Sequence, residues 1–247
     1  MIDIVYKDKQ EAILIDHVAS SSFVTKEMLL EIKTYYNREV PYHNFLHVLN
    51  VSSEVLRLDV NSLNIIEIKS LFFAALFHDA WHNWQADLLD EFNSLSIALE
   101  KIEEFSNKFD DLQLDMSIIR KAIIWTVFTK RWKLENRFSK ILWDLDIWVI
   151  WWDFLEFCYY SFPFWYEMWQ TEIDFITKTE IGYFKFLISI DKKLLLTSEV
   201  SEILPNAFSN IKHYLSLENN IKIDMMKTIK NEDITYYDFV KKYEDKI

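Results

Sequence analysis

The chain has 247 residues, with one glycine, three prolines, one cysteine and a formal net charge of −12. Glycine and proline this scarce cannot supply the turns of a sheet protein, and they exclude collagen-like, linker-like and Pro-rich disordered classes. The lone Cys158 excludes a disulfide framework and an all-cysteine zinc site. The acidic balance disfavours a nucleic-acid duplex or an anionic membrane surface as partner.

What remains is an all-α chain forming a single domain over residues 1–247, with a hydrophobic fraction of 51% to build its core. Helical spacing recurs along it. Gln10–Ala19 reads as a short amphipathic helix. Thr25 suits an N-cap, and the residues after it lead into Leu29, Leu30, Ile32 and Tyr36. Pro41 breaks the chain, and a helix is expected from about Tyr42 to Leu58. Asn61–Asp79 is the most apolar stretch and is expected to be central. Residues 80–87 read as a loop. Helices follow at Leu88–Phe109, Leu112–Phe128 and Asn136–Ile147. The aromatic segment 148–170 fits no clear pattern. Glu172–Lys193 reads as helical, with several amphipathic helices after it. The longest apolar runs, Leu71–Phe77 and Ile147–Trp152, fall far short of the roughly 18 to 20 residues that span a bilayer. The first residues show no apolar signal stretch. A cytoplasmic location with no membrane partner is therefore expected.

One glycine beside ten tryptophans is anomalous, since about 17 glycines are expected at the usual ~7%. Trp81 and Trp84 lie in the polar segment HDAWHNWQAD, and Trp151 and Trp152 precede Asp153. With glycine in those places the segments become ordinary loops. We read this as UGA codons meaning glycine in the source but translated here as tryptophan. The alternative is a genuinely tryptophan-rich helical protein.

Four of the six histidines fall between residues 43 and 82, as two pairs. His43 and His47 are four apart, as are His78 and His82, with Asp79 inside the second pair. Spacing of four places both rings of a pair on one helix face. Two such pairs on neighbouring helices can converge on one point. Neutral imidazole and carboxylate suit zinc, manganese or iron. HDAWH also resembles the H-E-x-x-H protease pattern. However, an Asp directly after His78 is too short for that catalytic base and better placed to bind metal itself.

The motifs VPYHNFLHVLNV at 40–51 and LFFAALFHDAWH at 71–82 together resemble the HD-domain superfamily of metal-dependent phosphohydrolases. The Tyr-His-Asn start and the H-D-x-x-H end are most similar to the class I cyclic-nucleotide phosphodiesterase branch. DEFNSLSIAL at 90–99 is similar to small bacterial members. The resemblance covers roughly residues 36–150. It implies an HD-type helical bundle over about 25–195, with accessory helices over about 196–247.

It also implies a function: hydrolysis of a phosphate ester in a nucleotide or cyclic nucleotide, with one or two divalent ions (Mn, Mg, Zn or Fe). His47, His78, Asp79 and a later Asp would be the metal ligands. That Asp lies in WDLDIW, and Asp146 is preferred to Asp144 because the related pattern follows its Asp with a β-branched residue or leucine. The two are about 200° apart on a helix, so only one faces the metal. His43 would protonate the leaving oxygen, and His82 would stand beside the ligands or the phosphate. Asn44 and Glu91 either orient these groups or serve their helices.

The family's base-gripping Gln has no clear match; Gln170 is a weak one. Lys130 and Arg131 either face a phosphate or end a helix in solvent. Tyr159–Trp169 either floors a base pocket or is core, and Cys158 is expected to be buried. Two other readings stay open, a di-iron oxygenase on the same fold and a non-catalytic metal-stabilised binding module. The missing additional histidines weigh against the oxygenase.

Overall fold

A computed structural model describes residues 2–21, 23–36, 40–59, 62–83, 88–109, 112–126, 135–148, 153–167, 171–189, 197–231 and 234–247. Among them there is no strand, so the all-α expectation holds. No helix is long and apolar enough to cross a membrane among these residues. Trp84, Lys130, Arg131, Trp151, Trp152, Trp169 and Gln170 lie outside the described residues.

The first seven helices are α1 (Ile2–Ala19), α2 (Lys26–Lys33), α3 (Phe45–Val55), α4 (Ile65–Phe77), α5 (Leu89–Lys108), α6 (Met116–Ile124) and α7 (Arg137–Trp148). The apolar α4 is central, as its sequence predicts. Leu71 to Phe77 are all fully buried, with α3, α5, α6 and α7 packed around them. A helix apolar on every side has to be enclosed in this way.

Side-chain caps set several boundaries. Thr25 accepts from Met28 N as expected, and Asn64 forms a capping box with Glu67. The helix expected over Tyr42–Leu58 is shorter at both ends. Asn44 takes an extended backbone and accepts from Leu46 N and His47 N, so α3 cannot begin before Phe45. Likewise α4 stops at Phe77, and His78 caps it. Tyr36 donates its hydroxyl to the Leu76 carbonyl at 2.6 Å, satisfying one of the carbonyls left over at the end of α4. The Leu112–Phe128 expectation shrinks to α6, because Asp115 caps its start and its amide is held by the buried Ser70 hydroxyl.

The second half is also helical. The aromatic segment becomes α8 (Phe154–Glu167), and Phe157, Cys158 and Phe162 are in the core. Then come α9 (Glu172–Asp174), a π-helical stretch (Phe175–Phe184) and α10 (Lys185–Ser189). The chain ends in α11 (Ser198–Ile203), α12 (Ala207–Ser216), α13 (Asn219–Asn231) and α14 (Tyr236–Tyr243). Helices α12, α13 and α14 all pack on α8. One continuous set of buried apolar residues runs from Ile15 to Tyr243.

Candidate metal centre

Three separate elements bring four side chains together. His47 projects from the first turn of α3, His78 and Asp79 follow directly on α4, and Asp146 lies on α7. Each offers an atom within 4.8 Å of the others. Asp146 Oδ1 lies 3.0 Å from His47 Nε2 and 3.2 Å from His78 Nε2. Asp79 Oδ2 lies 3.2 Å from His78 Nε2 and 3.6 Å from His47 Nε2. Both histidines are buried.

The tautomer of His78 follows from its surroundings. Its Nδ1 is 2.8 Å from the Ala75 carbonyl, which can only accept. Nδ1 therefore carries a proton, and a neutral His78 turns the bare lone pair of Nε2 toward two carboxylates. Asp79 Oδ2 is itself buried and makes no hydrogen bond among the described residues. Such an arrangement of lone pairs calls for a positive charge among them, either a proton on His78 or a cation at the centre. Burial opposes a charge on His78, but Asp79 and Asp146 outweigh it and raise the pKa of His78 well above the usual histidine value. Burial lowers that of His47 despite the same two carboxylates. Burial also resists ionisation of Asp79 and Asp146, yet the neighbouring histidines, His78 first, hold both below the carboxylate range.

Asp144 is turned the other way. It is fully buried, and its Oδ2 accepts from Thr197 N at 2.6 Å, tying α7 to the start of α11. Of the two aspartates, Asp146 joins the histidines.

His43 precedes α3 instead of lying on it, yet its ring centroid stays 5.9 Å from that of His47. It also stacks on His82, centroids 3.7 Å apart and planes 13° apart. His82 Nδ1 is 3.7 Å from Asp79 Oδ1. Asp79, His43 and His82 could by distance form a second ligand group. Ring orientation argues against it. An imidazole offers its lone pair in the ring plane, and an ion bound to both stacked rings at about 2.1 Å would sit well outside both planes.

Glu167 was not foreseen from the sequence. It lies at the end of α8, where one oxygen accepts from Tyr42 N and His43 N at 2.8 and 2.9 Å. The other is 2.6 Å from His43 Nδ1 and 3.7 Å from His82 Nε2. Burial works against its charge, but the His43 contacts hold its pKa below the usual glutamate value. A carboxylate 124 residues from its partner leaves no spacing to detect.

Two further side chains fasten the segment that carries His82. Ser94 on α5 accepts from Trp81 N at 3.0 Å and donates to Trp81 O at 3.1 Å. Asp90 accepts from Asn83 N at 3.1 Å. Just before α5, Leu88 has φ 70°, the one positive φ among described non-glycine residues. A leucine there costs about 1 to 2 kcal/mol. The part of the 80–87 loop that is described, residues 80–83, does adjoin the His–Asp group, while 84–87 lie outside the described residues. Asn44 supports His47 through its backbone, as its cap. Glu91 is close enough to feel Asp79, Asp90 and His82; burial is the main cause of its raised pKa.

The sequence matches no protein-family model and no curated protein.

Proposed function

We propose that this protein is a metal-dependent phosphohydrolase acting on a nucleotide or cyclic nucleotide. The observation that carries the reading is the aim of four donor atoms, from His47, His78, Asp79 and Asp146, at one point where Nε2 of a neutral His78 has no proton to donate. Two imidazoles and two carboxylates fit a divalent ion of the Mn, Fe or Zn type, with Mg less suited to nitrogen ligands. The Ala75 carbonyl behind His78 supplies the fixed tautomer that ligating histidines need.

When bound, such an ion supplies an acidified water and offsets phosphoryl charge. The remaining work belongs to the protein. His43 stands beside the four but outside them, held by Glu167 through its backbone and Nδ1. That grip leaves Nε2 as the proton donor for an alkoxide leaving group. Glu167 sets a carboxylate against the Nδ1 side of that ring. His82, stacked on His43 and facing both Asp79 and Glu167, keeps the ring in place. The neighbouring histidines hold Asp79 and Asp146 below the carboxylate range, so both would offer a bound cation a negative charge. The pattern resemblance at 40–51 and 71–82 supports the same chemistry, and the bacterial-type motif and acidic charge suit a cytoplasmic enzyme acting on small molecules.

The test is elemental analysis of the purified protein, followed by hydrolysis assays with added manganese on nucleoside mono-, di- and triphosphates and 3′,5′-cyclic nucleotides. About one or two ions per chain and turnover of at least one of these are expected. Bound metal with no turnover of any would overturn the hydrolase reading and leave a metal-stabilised binding module. Oxygen consumption with an iron-loaded protein would favour the oxygenase.

A further inference from the structure

A cavity of about 320 Å3 lies beside the metal group without being part of it. It meets that group only through His47; His43, His78, Asp79, His82, Asp146 and Glu167 are not among its lining residues. Its walls come from Gln10 of α1, from the segment before α3, from α3 itself, from α8, from the end of α13 and from Ile234.

Their chemistry is selective. Tyr42, Tyr159, Tyr160 and Tyr166 supply aromatic surface. Three of their hydroxyls are engaged: Tyr159 donates to the Ile234 carbonyl, Tyr166 to the Met226 carbonyl, and Tyr160 accepts from the Gln10 amide. What they offer a ligand is ring face and edge. Asn50, one turn after His47 on α3, lines the cavity half-buried, and its side chain makes no hydrogen bond among the described residues. Its amide presents one donor and one acceptor side, which matches the edge of a heteroaromatic ring. At the rim stands Lys230, 4.9 Å above the Tyr166 ring and 3.7 Å from Glu172, beyond hydrogen-bond distance. No carboxylate is among the described lining residues, in a chain of net charge −12.

We infer that this cavity is a small-molecule site for a flat heteroaromatic ring bearing an anionic group, the ring among the tyrosines and Asn50, the anion at Lys230. Stacking on aromatic side chains is tolerant of ring identity. The volume lies at the small end of the roughly 300 to 1,000 Å3 typical of ligand sites. It fits one or two fused rings and a single phosphate or carboxylate. The site does not depend on the hydrolase reading, because its walls omit the proton donor and three of the four proposed metal ligands.

The experiment is calorimetric titration of the full chain, stripped of metal with EDTA and then dialysed, with AMP and GMP. Adenosine and inorganic phosphate are the comparison probes. At least one mononucleotide is expected to bind at least fivefold tighter than adenosine, and phosphate not to compete. Lys230→Gln, at an exposed position, should weaken the mononucleotide about fivefold and leave adenosine unchanged. Asn50→Leu should weaken both at least tenfold, while Asp146→Asn should change neither. Absence of binding at millimolar AMP and GMP would overturn the site. So would loss of binding in Asp146→Asn with Lys230→Gln unaffected, which would put the nucleotide at the metal group. A failed hydrolysis assay beside intact AMP binding would count against the hydrolase proposal alone.

Discussion

Asp144 and Asp146 make the sharpest test, because they are neighbours on one helix with opposite duties. Asp144→Ala removes a charged acceptor from Thr197 N, the cap of α11. Hydrogen bonds to charged groups contribute about 1.5 to 3 kcal/mol. At about 2 to 4 °C per kcal/mol for a chain this long, the melting temperature should fall by roughly 3 to 12 °C. The loss should be the same with EDTA or with manganese, since Asp144 does not face the histidines. Asp146→Asn should behave in reverse. It removes the carboxylate shared by His47 and His78, so its defect belongs to the metal-bound state. An ion present at 100 times its dissociation constant stabilises a fold by about 2.7 kcal/mol. That increment, roughly 5 to 11 °C, should appear when manganese is added to the unaltered chain or to Asp144→Ala, and be absent in Asp146→Asn. Thermal melts of the three proteins with and without metal, alongside elemental analysis, decide it. Should Asp144→Ala lose the metal increment while Asp146→Asn keeps it, the assignment of the two aspartates is wrong.

His43→Ala should leave metal content intact and reduce turnover by about 10² to 10⁴; loss of metal together with activity would make His43 a ligand instead. Glu167→Gln keeps the shape but not the charge beside His43, so turnover should drop and its pH profile should change. An unaltered profile would leave Glu167 a purely structural partner. Glu156 offers a separate pH test: burial, then the charges of Asp153 and Glu54, raise its pKa to about 7. A folded pKa above the unfolded one gives a cost that is absent below the ordinary glutamate range, grows through pH 5 to 7 and is complete above. Solvent screening of this half-buried group brings it to about 1 kcal/mol, against the ~3 kcal/mol of the full shift. Glu156→Gln should therefore raise the melting temperature by about 2 to 4 °C at pH 8 and leave it unchanged at pH 5; equal changes at both would refute the burial argument.

The parts of the fold and site that could be read in the sequence are those encoded by local rules. Periodicity marks α3 to α7, and caps such as Thr25 are visible as residue types. The histidine spacing of four marks both pairs. Even so, His43 and His78 fall outside regular helix, and their pairs meet through caps and turns. The sequence alone does not separate Asp146 from Asp144, because Leu145 after one and Ile147 after the other both satisfy the family pattern, and two carboxylates on opposite helix faces look alike until a partner is known. Glu167, Ser94 and Asp90 were illegible for a related reason. Each acts on backbone brought near by tertiary packing, and a hydrogen bond to backbone imposes no residue type on the other side. The aromatic segment defeated periodicity because α8 is apolar almost throughout. It is wedged between the core and α12 to α14.

The tryptophans can now be taken one position at a time. Trp143 is fully buried in the middle of α7 and is among the largest fully buried side chains. Glycine there would leave a cavity costing about 3 to 5 kcal/mol and lower helix propensity by about 1 kcal/mol. Trp81 differs. It is 44% exposed, and its backbone amide and carbonyl, not its indole, fasten it to Ser94. Glycine would keep both bonds. Neither position has a positive φ, so neither backbone demands glycine. Recoding at position 81 therefore rests on composition, and burial argues against it at 143. Trp143→Gly should unfold the chain or lower its melting temperature by about 8 to 24 °C. Trp81→Gly should change it by no more than about 2 °C. The gene gives the independent reading: UGG is expected at 143 and UGA at 81. A UGG codon at 81, or a Trp81→Gly chain as damaged as Trp143→Gly, would make the tryptophan surplus genuine and end the recoding argument at the metal group.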